Sequence, residues 1–262
     1  MAGRGRGGGR GRGQGSRSGS PSIGQHRAPR VRVKTAKGRK TSSTRWLERQ
    51  LNDPYVAEAG RLGYRSRAAF KLGEFDDRFH LLAPGKRVVD LGAAPGGWTQ
   101  VVVERLCGGS GPDGQPRGRV VAVDQTEMDP IPGATILLLD FLSDEAPGEI
   151  KAALGGGADV VLSDMASPAT GHAATDHLRI MALCEAAFEF AREVLAPGGS
   201  FIAKVLVGGT EQSLLATLKR EFKTVKHVKP AASRADSAEI YVVALGFRGH
   251  PQGSDKQGGS QN

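Results

Sequence analysis

The sequence predicts an α/β domain built on a largely parallel sheet with helices on both faces. Short runs rich in valine and isoleucine alternate along the chain with longer segments of helical periodicity. The runs are apolar at consecutive positions, which is typical of strands covered on both faces. Seven such runs are present, at residues 88–90, 119–124, 134–140, 158–164, 200–207, 224–228 and 239–247.

The segments between these runs predict helices. One of them, residues 65–79, repeats apolar side chains at the spacing of a buried helical face. Lys71 flanks that face, and this segment alone favours a lysine whose charged end reaches solvent past apolar surface. Further helices are predicted at residues 98–106, 143–154, 177–195 and 211–222. The last two strands have no helix-length gap between them and could pair as a hairpin.

Charge divides the chain into a basic tail and a weakly acidic body. Residues 1–45 hold 13 Lys and Arg and no acidic residue, whereas residues 46–262 hold 23 basic and 27 acidic residues. The Gly/Arg-rich segment 1–42 is predicted to be disordered, and could contact RNA phosphates or serve only as a solubilising extension. The folded domain is expected over residues 43–248, followed by a flexible C-terminus, 249–262.

The remaining composition excludes several classes of protein. Cys107 and Cys184 are far apart and match no metal-binding or redox spacing, so we expect buried thiols and no metal site. The N-terminus lacks the apolar core of a signal peptide, and no apolar run approaches the ~20 residues that cross a bilayer. A cytoplasmic monomer is expected.

A glycine-rich loop follows the first strand, within the stretch Lys86–Gln100. Gly92, Gly96 and Gly97 lie between this strand and the next predicted helix. Such a loop is a ready site for part of a nucleotide-like ligand, because glycines let the backbone approach a ligand closely. The loop alone does not identify the ligand.

Four successive strands end in a carboxylate, and ligands of open α/β sheets bind at the carboxyl ends of the strands. These residues are Asp90, Asp124, Asp140 and Asp164. Four acids at one edge indicate a shared ligand that carries hydroxyls and amines, and they are compatible with a positive charge. S-adenosylmethionine fits, with its ribose diol, adenine amine, α-ammonium and sulfonium.

A dinucleotide is the alternative ligand, and the sequence disfavours it. A dinucleotide loop has the spacing G-x-G-x-x-G, whereas here three residues separate Gly92 from Gly96, and Pro95 lies within the loop. The ring of acids would also oppose the negative charge of a pyrophosphate.

Lys204 lies in the middle of an apolar strand. An unpaired buried lysine is costly, so it either meets a carboxylate or titrates abnormally. Glu239, at the start of the last strand, is a plausible partner. A structural salt bridge and a lysine tuned to take or steer a proton are equally compatible with this pattern.

Six motifs occur in one order along residues 43–247: SRAAFKL, VVDLGAAPGGW, VAVDQTEMDP, LSDMASPATG, LAPGGSFIAKV and SRADSAEIYVVA. In this set the chain resembles the FtsJ/RrmJ (RlmE) family of bacterial 23S rRNA (uridine-2′-O)-methyltransferases. The resemblance implies a Rossmann-like class I fold, S-adenosylmethionine as the methyl donor, and a uridine in the A loop of the large subunit as the target.

The resemblance also implies the site residues. A catalytic set of two lysines and two acids corresponds here to Lys71, Asp164, Lys204 and Glu239, which makes both lysines active-site residues. The donor-binding residues correspond to Gly96, Trp98, Asp124, Asp140 and Asp164. By analogy with the fold, Asp124 would hold the ribose hydroxyls and Asp140 would hold the adenine amine.

Two segments depart from the family pattern beside the site. The strand-4 loop reads MASP at Met165–Pro168, and the loop after Lys204 lacks the family's aromatic residue. These departures bear on substrate detail and not on the methyl chemistry. The alternatives are a tRNA 2′-O-methyltransferase of the same family and a non-catalytic ribosome-assembly factor, and the complete set of two lysines and two acids argues against the second. RNA contacts by the body are expected from basic residues around the site: Arg65, Arg67, Lys71, Lys229 and Arg234.

Overall fold

The computed structural model describes residues 31–33, 41–107, 118–206 and 212–249. The chain divides after Pro54 into two units. In the first, helix α1 (Thr41–Leu51) is followed by Asn52, whose carboxamide exchanges two hydrogen bonds of 2.8 Å with the backbone of Val31. Most of the predicted tail and of the C-terminal segment lies outside the described residues.

The second unit contains a seven-stranded sheet with the order β3-β2-β1-β4-β5-β7-β6. The strands are β1 (Arg87–Leu91), β2 (Arg119–Asp124), β3 (Thr135–Leu138), β4 (Ala158–Ser163), β5 (Leu195–Leu206), β6 (Phe222–Val228) and β7 (Glu239–Phe247). The first five strands are parallel, and β7 pairs antiparallel with both β5 and β6. This confirms the mostly parallel sheet, and β6 and β7 form the hairpin that their short separation allowed.

Helices cover both faces of this sheet, as predicted. They are α3 (Ala68–Phe79), α4 (Gly97–Cys107), α5 (Ala146–Leu154), α6 (Ala173–Val194) and α7 (Gln212–Glu221), and α2 (Pro54–Leu62) precedes them in the chain. Neighbouring residues of one strand enter different cores: Val88 packs with residues of α3 and α4, and Val89 packs with residues of α5 and α6. This two-sided burial is the reason that the central strands are apolar at consecutive positions.

Two element boundaries differ from the prediction by four residues or more. Helix α6 begins at Ala173 rather than 177, and the Asp176 carboxylate in its first turn accepts hydrogen bonds from the backbone and hydroxyl of Thr170. Strand β5 begins at Leu195, five residues earlier than predicted, and Pro197, Gly198 and Gly199 lie at an irregularity in its pairing with β4. Gly198 adopts a φ of 87° there.

The described part of the chain contains no helix that is long and apolar enough to cross a membrane. Within the same residues, no cluster of His, Cys, Asp and Glu could hold a metal ion. Cys184 is buried in α6, and burial raises the pKa of its thiol to about 12. The side chain of Cys107 lies outside the described residues.

Candidate active site

The glycine loop after β1 lies directly against the loop after β4. Gly92 has a φ of 75°, and a Cβ atom there would lie 2.8 Å from Cγ and 2.9 Å from Cα of Met165. Only glycine combines this conformation with this close approach. The Ala94 amide, farther along the loop, donates a 2.9 Å hydrogen bond to Oδ2 of Asp124 at the end of β2. The loop is therefore held by both neighbouring strands.

A cavity of about 600 Å³ lies at this carboxyl edge of the sheet. Three of the four predicted strand-end acids, Asp124, Asp140 and Asp164, line it. Apolar side chains complete its wall, among them Phe141 and Leu142. The cavity therefore combines carboxylates with apolar surface, in the size range of small-molecule sites.

Asp90 is not among the described residues that line the cavity, so the predicted ring of acids loses this member. Its side chain is completely buried, and Oδ2 accepts a 2.7 Å hydrogen bond from the Thr99 hydroxyl. Oδ1 accepts no hydrogen bond from the described residues. Burial, together with the charges of Asp164 and Asp124, raises the pKa of the Asp90 carboxyl to about 7, although the Thr99 hydrogen bond lowers it.

We expect the Asp90→Asn variant to be more stable than the wild-type protein, by a larger margin at pH 8 than at pH 5. The carboxyl has a pKa of about 7 when folded and an ordinary value of 3.8, so folding takes up a proton between these values. Its contribution to stability is full below pH 3.8 and lost as the pH rises through 7. Wild type therefore loses about 2–3 kcal/mol between pH 5 and pH 8 that the variant keeps.

Urea unfolding of both proteins at the two pH values measures this difference. Asp77→Asn, which neutralises an exposed carboxylate on α3, is the control and should show no such pH dependence. An Asp90→Asn margin that does not change with pH would contradict the shifted pKa.

Gly96 and Trp98 were predicted to bind the methyl donor, but neither is among the described lining residues of the cavity. The Trp98 side chain is 3% exposed, and its indole Nε1 donates a 2.8 Å hydrogen bond to the Ala68 carbonyl. Its ring packs 6.3 Å from Phe75 and 5.8 Å from Tyr241. The Trp98 side chain therefore joins α4 to α3, and donor binding by these two residues stays a prediction.

The four residues of the predicted catalytic set come together from four elements. Lys71 Nζ lies 2.6 Å from Oε1 of Glu239, and Lys204 Nζ lies 2.8 Å from Oδ1 of Asp164. Lys204 also donates to the Asp164 backbone carbonyl at 2.8 Å and lies 3.9 Å from Oε2 of Glu239. The two lysines thus alternate with two carboxylates in one cluster, as the resemblance implied.

Tyr241 completes this cluster, and the sequence analysis missed it. Its hydroxyl donates to Oδ1 of Asp164 at 2.7 Å and accepts a 3.1 Å hydrogen bond from Lys71. Tyr241 follows Glu239 by two positions on β7, so the two side chains lie on one face of the strand, and it pairs in register with Lys204. The two-residue strand period could have identified it.

The electrostatics of the cluster keep Asp164 ionised. Burial by itself raises the pKa of this carboxyl, but the ammonium groups of Lys204 and Lys71, with the hydrogen bonds from Lys204 and Tyr241, lower it below its usual value. Burial, with the charges of Asp164 and Glu239, raises the pKa of the Tyr241 phenol well above 10. Tyr241 therefore stays a neutral hydrogen-bond donor to Asp164.

Three of the basic residues expected to contact RNA donate hydrogen bonds to backbone carbonyls of the protein. Arg65 donates to the carbonyls of Asp129 and Pro130, at 2.7 and 2.8 Å. Arg67 donates to the Ala232 carbonyl, and Lys229 donates to two carbonyls of its own loop. These side chains stabilise the loops around the site, and their contact with RNA stays a prediction.

Residues 64–247 match the family model of the FtsJ-like methyltransferases. The chain belongs to this family. The match confirms the resemblance read from the six motifs and the predicted enzyme class, and both the glycine loop and the lysine–carboxylate cluster lie within the matched residues.

Several curated relatives share most of this chain. A Parvibaculum lavamentivorans protein named ribosomal RNA large subunit methyltransferase E is 64% identical over 237 residues, which cover 89% of this chain and 93% of the relative. A Paramagnetospirillum magneticum protein of the same name is 64% identical over 231 residues, 88% and 93% of the two chains. A Plasmodium falciparum structure, assigned as a ribosomal RNA methyltransferase, superposes with a TM-score of 0.62 at 30% identity, covering 71% of this chain and all (100%) of that one.

Proposed function

We propose that this protein transfers a methyl group from S-adenosylmethionine to the ribose 2′-OH of a uridine in 23S rRNA, in the A loop of the large ribosomal subunit. The observation that carries the proposal is the double position of Asp164. This residue lines the cavity at the carboxyl edge of the sheet and also accepts hydrogen bonds from Lys204 and Tyr241. A ligand in the cavity would therefore lie beside the lysine–carboxylate cluster.

The cavity suits S-adenosylmethionine. Asp124 and Asp140 offer carboxylates to ribose hydroxyls and an adenine amine, and Phe141 and Leu142 offer apolar surface to a base. The acidic lining favours a cation and opposes the negative charge of a pyrophosphate. Bound S-adenosylmethionine would supply an electrophilic methyl group on a positively charged sulfur.

The cluster would act on the 2′-OH, a poor nucleophile because its proton is held tightly at neutral pH. Lys204 would remove or steer this proton, while Lys71 would orient the hydroxyl or stabilise negative charge that develops on its oxygen. Asp164 and Glu239 would hold the two amines in place through the contacts described above. Fixing the acceptor oxygen in line with the methyl group would supply a further part of the rate.

The acceptor assignment is supported by the names of the curated relatives and by the motif resemblance. The relatives are named as methyltransferases of large-subunit ribosomal RNA, and each is aligned over most of its length. A cytoplasmic monomer whose basic segment 1–42 contacts RNA phosphates belongs to the same proposal.

Labelled methyl transfer tests the acceptor directly. Purified protein with radiolabelled S-adenosylmethionine is incubated with large subunits, with free 23S rRNA and with tRNA, each from cells that lack this modification. We expect label in the large subunit, at a uridine of the A loop identified by mass spectrometry of nuclease fragments. Labelling of tRNA alone would contradict the rRNA assignment. Donor binding without transfer to any of the three would favour an assembly factor.

A further inference from the structure

We infer that Glu74 is a positioning residue for methyl transfer, which acts by bracing the loop that holds Glu239 in the active site. This loop, the β6–β7 connection, comprises residues 229–238. The inference rests on the proposed function, because it assigns Glu239 to the acceptor side of that reaction.

The carboxylate of Glu74 grips two successive peptide groups of the β6–β7 connection. Its Oε2 accepts a 2.6 Å hydrogen bond from the Ala231 amide, and its Oε1 accepts one of 2.8 Å from the Ala232 amide. Arg67, the residue that precedes α3, donates a hydrogen bond to the carbonyl of Ala232. Hydrogen bonds to an ionised acceptor are stronger than those between neutral groups, so the Glu74 carboxylate attaches the connection firmly to α3.

The connection is also closed on itself. Lys229 Nζ donates to the carbonyls of Ala235 and Ser237, at 3.1 and 2.8 Å. The Ser233 amide donates to the Pro230 carbonyl at 2.9 Å. A movement at the point that Glu74 holds would therefore be transmitted along the connection as a unit.

Ser233 links the connection to the catalytic cluster. Its side chain is nearly buried, at 8% exposure, and its hydroxyl donates a 2.9 Å hydrogen bond to Oε1 of Glu239. The same Oε1 lies 2.6 Å from Nζ of Lys71. Two donors thus fix the orientation of this carboxylate, and Ser233 is the one that Glu74 sets in place.

Helix α3 carries both residues that act on Glu239. Lys71 and Glu74 lie one turn apart on the helix, so they share one face and differ in what they reach. Lys71 reaches Glu239 directly, whereas Glu74 reaches it through Ser233. Helix α3 therefore holds Lys71 directly and the Glu239 carboxylate through Glu74 and Ser233, and in this way it sets the distance between the two groups.

A double-mutant cycle tests this path. Glu74→Ala and Ser233→Ala are each expected to lower kcat for methyl transfer to large subunits by about tenfold. The double variant is expected to fall no further than either single variant, since both changes release the same hydrogen bond. The Kd of S-adenosylmethionine should stay within about twofold of wild type, because neither residue is among the described lining residues of the cavity.

Two further variants separate positioning from general damage to the fold. Ser233→Thr keeps a hydroxyl and should recover most of the kcat that Ser233→Ala loses. Asp77→Asn removes an exposed carboxylate of the same helix, paired with Arg105, and should turn over as wild type does. All proteins are assayed below the onset of thermal unfolding. Wild-type kcat in either alanine variant, or a hundredfold loss in the double variant from additive effects, would overturn the inference.

Hydrogen exchange tests the brace without any RNA. Amides 231–233 should exchange faster in Glu74→Ala than in wild type, and their exchange rates in Asp77→Asn should equal those of wild type. Equal protection in all three proteins would also overturn the inference. Failure of the proposed function looks different: the wild-type protein itself would then label tRNA alone or none of the RNAs, while hydrogen exchange would still report on the brace.

Discussion

Lys204→Ala is expected to reduce methyl transfer by a factor of about 10² to 10⁴ while leaving the binding of S-adenosylmethionine intact. Lys204 Nζ makes two 2.8 Å contacts with Asp164, through its carboxylate and its backbone carbonyl. Lys204 is absent from the described wall of the cavity, so its loss should spare donor binding. Alanine removes the amine that we propose takes or steers the 2′-OH proton, and no other described amine lies at that position.

Single-turnover transfer to large subunits, with donor Kd from calorimetry in parallel, measures both parts of this expectation. Lys219→Ala removes an exposed lysine of α7 and serves as the matched control, with wild-type turnover expected. Wild-type turnover by Lys204→Ala would contradict its role in proton transfer. A comparable loss of donor affinity and turnover would move its role to donor binding.

Asp164→Asn is expected to impair both halves of the reaction. Oδ1 of Asp164 accepts from Lys204 at 2.8 Å and from Tyr241 at 2.7 Å, and Asp164 also lines the cavity. Asparagine keeps the shape and one oxygen but removes the charge that both lysines face. We expect a loss of about 10² or more in kcat and an increase of about tenfold in the donor Kd.

The same variant should be less stable, and the deficit should depend on pH. The pKa of the Asp164 carboxyl is lowered in the folded protein, so its stabilising effect is present above its ordinary value of 3.8 and is lost as the pH falls below it. Removing one partner of a buried charge cluster costs about 3 kcal/mol at neutral pH. Urea unfolding at pH 7 and at pH 3 tests whether the deficit shrinks in acid.

Asp159→Asn is the matched control for Asp164→Asn. Asp159 lies on the same strand, β4, but at its other end, where it accepts a hydrogen bond from the Arg87 amide. We expect this control to keep both turnover and donor affinity. Tight donor binding by Asp164→Asn would contradict its place in the donor site, while normal turnover would contradict its place in the catalytic cluster.

The sheet and its helices could be predicted because their signals are local. All seven strands were identified, the central ones from continuous apolar runs, and the short gap before β7 identified its hairpin with β6. The errors in element boundaries lie where side chains override local pattern. Asp176 organises the turn that starts α6, and Pro197, Gly198 and Gly199 lie at an irregularity in the pairing of β5 with β4.

The site was only partly accessible from pattern. The strand ends placed Asp124, Asp140 and Asp164 at one edge, and the structure brings them to one cavity. Pattern alone favoured a solvent-reaching lysine at position 71, and left Lys204 undecided. The family motifs were needed to place both in the catalytic set, because each lysine meets its carboxylate across elements that are distant in sequence.

Burial and side-chain direction were decided by the tertiary structure. Asp90 follows the same strand-end pattern as the other acids, yet it is enclosed by Thr99 and the core behind the glycine loop. Glu74 lies outside the six motifs, and Tyr241 lies within the last of them without a predicted role. Each takes its role from long-range contacts, Tyr241 with Asp164 and Glu74 with the β6–β7 connection.

The chain's own periodicity and motif order were therefore sufficient for the fold, the family and the edge of the sheet at which the cavity lies. Those properties depend on patterns that repeat within a few residues or on motifs that can be read in order. Other features depend on distances of about 3 Å between remote segments. They are the contacts of Lys204 and Tyr241 with Asp164, the burial of Asp90, and the hydrogen bonds of Glu74 to the β6–β7 connection. Such distances exist only once the sheet has assembled and the helices have packed on it.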